Sequence, residues 1–107
     1  MTYDNLMECP MAKVQKIVRG KWSMLLIYIL SEGTFRFSEL HRKMPWVTEA
    51  NLTKELRSLE EHGMVIRKVY PVVPPKVEYS LSDIGRAFLP VILELEKWAE
   101  KYVEQRE

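Results

Sequence analysis

The run FSELHRKMPWVTEANLTKELRSLEEHGMVIRKVYPVVPPKVEYSL, residues 37–81, decides the fold. Phe37, Leu40, His41 and Met44 recur at helical spacing. They predict a short helix that Pro45 stops, because a residue before proline is pushed out of the helical region. Thr48 can cap the following helix with its hydroxyl. Leu52, Leu56 and Leu59 form one apolar stripe in that helix, and Gly63 supplies its C-terminal stop. Two helices joined by about three residues, Pro45 to Val47, have helix-turn-helix spacing.

After Gly63 the period changes. Met64 to Tyr70 is rich in β-branched residues, and Val77, Tyr79 and Leu81 alternate with Lys76, Glu78 and Ser80. Pro71-Val72-Val73-Pro74-Pro75 between them reads as a stiff hairpin loop, since proline lacks the amide proton that a ladder needs. A hairpin placed directly after a helix-turn-helix is a wing.

Outward from this stretch the chain continues as helix on both sides. Pro10 suits the first turn of a helix in which Met11, Val14 and Val18 mark one face, ending near Gly20. A second helix, about Lys21 to Ser31, has almost no polar face (Trp22, Met24, Leu25, Leu26, Ile27, Ile29, Leu30) and should be the buried centre. The last helix starts at Ser82, and Asp83 in its first turn suits the helix dipole. Ile84, Phe88, Val91, Ile92, Leu95, Trp98 and Tyr102 lie along one side of it, and Pro90 should kink or split it.

So long an apolar helix exceeds what a small domain can cover, and dimerisation explains it most simply. Met11, Val14, Phe88, Ile92, Leu95, Trp98 and Tyr102 are the expected dimer residues. The predicted fold class is mainly α with a small β-hairpin, a winged helix-turn-helix with extra N- and C-terminal dimerisation helices. It forms one domain over 1–107: an N-terminal arm and helix (1–20), the helix-turn-helix (37–63), the wing (64–81) and the C-terminal dimerisation helix (82–107).

Composition bounds the function without choosing it. The 107 residues are 47% hydrophobic and 29% charged with a net charge of +1, an ordinary balance for a soluble globular protein. Residues 36–81 carry eight Lys/Arg against six Asp/Glu, and residues 82–107 carry four against six. Charge therefore permits nucleic-acid binding but does not argue for it. The chain has no apolar run long enough to span a membrane, and MTYDNLMECP lacks the basic start and apolar run of a signal peptide. One cysteine, Cys9, fits a reducing compartment. A cytoplasmic location, at the nucleoid, is expected.

With the leucine stripe inward, Ala50, Lys54, Arg57 and Glu61 fall on the opposite face of the fourth helix, and Asn51, Thr53 and Ser58 flank it. A recognition helix offers its N-terminal residues to base edges in the major groove. Asn can pair with adenine and Arg with guanine, while Thr and Lys meet phosphates. The candidate DNA-binding set is Arg36, Thr48, Ala50, Asn51, Thr53, Lys54, Arg57, Arg67 and Lys76. Lys76 heads the wing candidates because it follows the proline tip directly. Arg67 and Lys68 serve equally well as charges that discourage edge pairing, and Arg36 and Lys21 stand at helix starts that could face the backbone.

Catalytic constellations are missing. His41 and His62 have no metal spacing, one cysteine completes no zinc site, and no glycine-rich phosphate loop occurs. No metal and no cofactor are expected, and the protein is not read as an enzyme. His41, on an apolar face, reads as a satisfied core histidine. Trp22, Trp46 and Trp98 read as core and interface anchors.

The sequence resembles the HxlR-type winged-helix regulators, relatives of the MarR group. The matching pieces are Cys9-Pro10, Gly20-Lys21-Trp22, Arg36-Phe37 with Glu39-Leu40, Leu52-Thr53 with Leu56, and Leu59-Glu60 with Gly63. The most specific is Pro74-Pro75-Lys76-Val77-Glu78-Tyr79-Ser80-Leu81 with Gly85. The resemblance implies a homodimeric DNA-binding regulator, with the fourth helix in the major groove, the wing beside it, and the dimer built from the first and last helices. Similar proteins often carry a basic residue at Ala50 and an amide at Glu49. That departure keeps open a second reading, a winged-helix module that mediates protein contacts and has lost DNA binding. The resemblance also marks Cys9 as a candidate sensor of oxidants or electrophiles, and the alternative is an inert thiol packed as a small hydrophobe. A small-molecule or oxidant effector is therefore a possible partner beside double-stranded DNA and a second copy of the chain.

Overall fold

A computed structural model of the chain describes residues 4–106. Met1–Tyr3 of the predicted N-terminal arm and Glu107 of the predicted last helix lie outside the described residues. A 3-10 turn, Leu6–Glu8, leads into α1 (Pro10–Ile17), α2 (Ser23–Leu30), β1 (Phe35–Arg36), α3 (Phe37–Lys43) and α4 (Glu49–Glu61). Then follow β2 (Val65–Tyr70), β3 (Lys76–Leu81), α5 (Asp83–Ala87) and α6 (Leu89–Arg106). The winged helix-turn-helix expected from the sequence is the fold observed.

Local chemistry sets the ends of α4. The Thr48 side chain accepts a hydrogen bond from the Asn51 backbone N–H at 3.1 Å. At the other end the Gly63 N–H donates to the Glu60 carbonyl and the Met64 N–H to the Leu59 carbonyl, both at 2.9 Å. Gly63 has φ +76, the left-handed conformation this closure requires. Leu59 and Met64, both buried, meet across the closure, and the chain turns directly into β2. Leu52, Leu56 and Leu59 join Leu26, Ile27, Leu30, Leu40, Met44 and Val47 in the core.

The sheet departs from the expectation of a plain hairpin. It has three antiparallel strands in the order β1-β3-β2, with Phe35 opposite Tyr79 and Arg36 opposite Glu78. Two residues are too short to show a strand period, and β1 forms because β3 offers it an unpaired edge. β2 and β3 pair from Val65–Leu81 out to Tyr70–Lys76. Their inner face sends Val65, Tyr79 and Leu81 into the core.

Two helices also differ from the sequence reading. α2 begins at Ser23, after a turn through Trp22, and only one of its faces is buried: Ser23, Leu26, Ile27 and Leu30 are enclosed while Met24 and Tyr28 are exposed. The last helix is split at Phe88 into α5 and α6, as Pro90 predicts. Proline then sits at the second position of α6, where its missing N–H costs nothing. The Ser82 side chain accepts from the Gly85 N–H at 3.1 Å and so starts α5.

α6 crosses α2, joined by the Tyr28 hydroxyl, which donates to Glu96 Oε2 at 2.6 Å. That hydrogen bond, with the carboxylate's charge, raises the Tyr28 phenol above its ordinary pKa. Ile92 is the one buried residue of α6 and is 5% exposed. Most of the 18-residue helix therefore stands clear of the body. The Cα radius of gyration is 15.8 Å, against about 13 Å for a compact chain of this length.

Candidate nucleic-acid interface

The outer row of α4 is as the helical period predicts. Ala50, Lys54, Arg57 and Glu61 are exposed, with Asn51 exposed and Thr53 and Ser58 half-buried at the flanks. The three leucines hold the opposite face in the core, so this row cannot turn away from solvent.

The turn before α4 is held by His41. Its Nε2 lies 2.9 Å from the Val47 carbonyl, which can only accept, so Nε2–H is the donor. Its Nδ1 faces Glu49 at 3.9 Å. Glu49 thus lies in the first turn of α4, beside the helix dipole and an imidazole. Trp46 in the same turn is exposed and packs edge-on against Trp22, with ring centroids 5.6 Å apart. Its exposure removes the core half of the core-or-interface expectation. Only a partner in space, Trp22, explains its position.

The wing carries its charges less freely than the sequence suggests. On one face of the sheet Glu78 lies among Lys76, Lys68 and Arg36, the last two directly across from it on the neighbouring strands. Lys76 Nζ is 3.7 Å from Glu78 Oε2 and 4.7 Å from the Tyr70 ring centre. Lys68 Nζ lies 4.8 Å from the same ring. The Tyr70 hydroxyl, then Lys76, Arg36 and Lys68, hold the Glu78 carboxyl below the usual carboxylate range. Lys76 is therefore a partly neutralised cation, while Arg67 projects from the exposed run of β2. This neutralisation was readable from sequence, because residues two apart on a strand share a face.

The predicted dimer residues divide. Met11 is 67% exposed, Trp98 62% and Tyr102 50%, and Leu95 is exposed beside them. Trp98 and Tyr102 stack with ring centres 5.5 Å apart. Val14 and Phe88 are half-buried, both lining a shallow apolar hollow with Ile17, Ile84 and Met64. Ile92 is a correction: its side chain belongs to the chain's own core, because α6 presses that position onto α2. Cys9 is a free, partly exposed cysteine at the start of α1. Its carbonyl accepts from Ala12 and Lys13 while its side chain caps nothing.

A tight turn and an outward row on α4, followed at once by a hairpin that carries Arg67, Lys68 and Lys76, define the winged helix-turn-helix class. Within it the chain belongs to the HxlR-like helix-turn-helix family, whose model matches residues 17–107. It is 44% identical over 102 residues to YdeP of Bacillus subtilis, an uncharacterized HTH-type transcriptional regulator, covering 95% of this chain and 80% of that one. The redox regulator HypR in its oxidized form is similar at 43% identity and TM-score 0.80, over 87% of this chain and 96% of that one. The reduced form of the transcriptional regulator YodB from B. subtilis matches at 33% identity and TM-score 0.80, over 92% and 98%.

Proposed function

We propose that the protein is a transcriptional regulator rather than an enzyme, acting in the cytoplasm as a homodimer on double-stranded DNA. The observation that carries this is the α4 row, exposed on a helix whose other face is locked into the core. Asn51 and Arg57 offer base-edge contacts, while Thr48, Thr53 and Lys54 face phosphates and Ala50 leaves room for close approach. Arg67 leads in the wing, with Arg36 and Lys76 behind it because Glu78 shares their charge. Residues 37–63 form the reading unit, 64–81 the wing, and 82–107 with the N-terminal helix the dimer.

Dimerisation rests on Trp98, Tyr102, Leu95 and Met11, large side chains on a helix and arm that the protomer does not cover. Aromatic residues of this size anchor interfaces. Binding to duplex DNA from upstream of its own gene, at two salt concentrations, tests the reading. Arg57→Ala should cost about 1–3 kcal/mol and relax specificity at one position if it reads a guanine. Unaltered affinity in both Arg57→Ala and Lys54→Ala would remove α4 from the interface.

Cys9 carries a second element of the reading, regulation by an oxidant. Its thiol is partly exposed beside the arm that would enter the dimer, and the similar regulator HypR is a redox regulator. With no second cysteine in the chain, oxidation must give a sulfenic acid, a mixed disulfide or a bridge between subunits. DNA binding before and after peroxide, in the wild type and Cys9→Ser, checks this. Equal responses of the two proteins would leave Cys9 a structural residue.

A further inference from the structure

A cleft of about 400 Å³ runs along α4 on the side of the α1–α2 turn, and Arg19, Lys21 and Lys54 line it with Asn51 and Ser58. Its one acidic lining residue, Glu55, has both oxygens engaged. Oε2 accepts from the Ser23 hydroxyl at 2.9 Å and Oε1 from the Trp22 backbone N–H at 3.4 Å. Those donors stand at the start of α2, so the carboxylate serves the free amide end of that helix. The cleft keeps three cations against one carboxylate already committed.

Gly20 is what lets this happen. A Cβ there would lie 1.9 Å from Glu55 Oε2 and 2.5 Å from the Ser23 hydroxyl oxygen. With hydrogen in its place, the turn Arg19-Gly20-Lys21 closes directly onto α4. Lys21 Nζ sits 5.3 Å from the Trp22 ring centre, and Trp22 in turn abuts Trp46 of the helix-turn-helix. The basic turn, α4 and the turn before α4 are thus tied into one surface.

We infer that Arg19 and Lys21, held against α4 by Glu55, form a clamp that grips a DNA backbone phosphate beside the recognition helix. The inference rests on the DNA-binding reading above. A helix in the major groove runs between phosphate rows, and positioning contacts to those rows come from Arg, Lys and small polar side chains. Lys54, Asn51 and Ser58 recur at helical spacing along the same flank, so the clamp continues the row that α4 presents. Ser58 supplies a neutral donor to a phosphate oxygen where the three cations supply charge. The cleft is an open groove, which suits a length of sugar-phosphate chain. Glu55 is a positioning residue and touches no phosphate.

The test compares Arg19→Ala/Lys21→Ala with wild type, by fluorescence anisotropy on a cognate and a scrambled duplex across a salt series. The double variant should weaken both duplexes by the same factor and leave their ratio unchanged. Its plot of log affinity against log salt should be shallower by about 0.9, the share of the one phosphate that the pair neutralises. Lys97→Ala/Lys101→Ala, which removes the same charge from α6, should keep the wild-type slope. An unchanged slope in the Arg19/Lys21 variant overturns the clamp. So does an equal loss of slope in the α6 control, which would reduce the effect to net charge. Inorganic phosphate replacing chloride at matched ionic strength separates the other source of the same anion. If it displaces DNA from wild type but not from the double variant, whose slope is unchanged, the cleft is a small-anion site and the clamp is wrong. A wild type that binds neither duplex overturns the transcription reading itself, and the clamp with it.

Discussion

Gly20→Ala isolates the contact that ties the α1–α2 turn to the recognition helix. The backbone there lies outside the left-handed region, so the methyl group acts by volume alone. Its nearest neighbour is the Glu55 carboxylate, the movable end of a side chain, which must swing away and release both hydrogen bonds. Hydrogen bonds to charged groups contribute about 1.5–3 kcal/mol each. One of these two is long and Glu55 is half-buried, so about 2 kcal/mol for the pair is the better figure. Alanine recovers about 0.4–1 kcal/mol by restricting the unfolded chain. A net loss of about 1–1.5 kcal/mol follows, which lowers Tm by about 5–10 °C in a domain near this size. Urea melts of wild type, Gly20→Ala, Glu55→Ala and the double variant, at one protein concentration, complete a cycle. In the Glu55→Ala background only the Ser23 hydroxyl oxygen still crowds the methyl group, so most of that cost should vanish, giving a coupling of about 1 kcal/mol. If Gly20→Ala costs the same in both backgrounds, the methyl meets something other than Glu55 and the lock described here does not exist.

Three further outcomes are expected. Gly85→Ala should destabilise by about 1–3 kcal/mol, because its Cβ would lie 2.2 Å from the Met64 carbonyl oxygen, a backbone atom that cannot rotate aside; the same urea melts read it. Leu95→Asp or Trp98→Asp should give monomer by light scattering and lose operator binding, while a monomeric wild type would end the dimer proposal. Glu78 has a folded-state pKa below its unfolded one, so its ionised form favours folding above the ordinary carboxylate range, and that contribution falls away as pH drops through the lowered value. The midpoint of unfolding should therefore fall less on acidification below about pH 4 in Glu78→Gln than in wild type, and the same variant should bind duplex more tightly by freeing Lys76, Lys68 and Arg36.

What could be read in advance was local. Thr48 and Gly63 end α4 through bonds that span three to five residues, and Pro90 splits the last helix through its own ring. The leucine stripe places the α4 row because helical period alone decides which positions share a face. Prolines between two β-branched runs make the wing loop for the same kind of reason. The family resemblance followed from these segments, whose order along the chain is itself linear information.

Other features depend on residues far apart in sequence. Phe35–Arg36 becomes a strand only against β3, more than forty residues on. Val91, Ile92 and Leu95 are equally apolar, yet Ile92 alone enters the core, since the crossing of α6 over α2 decides which position of one stripe faces inward. Glu55 reaches Trp22 and Ser23 across more than thirty residues, and only that approach brings Arg19 and Lys21 into the same cleft as Lys54. Periodicity, caps and turns are energies of neighbours along the chain, so the sequence by itself determined the elements and the outward row of α4. Which side chains from different elements meet is decided by packing over long separations, and the tertiary structure alone supplied the third strand, the core position of Ile92 and the basic cleft.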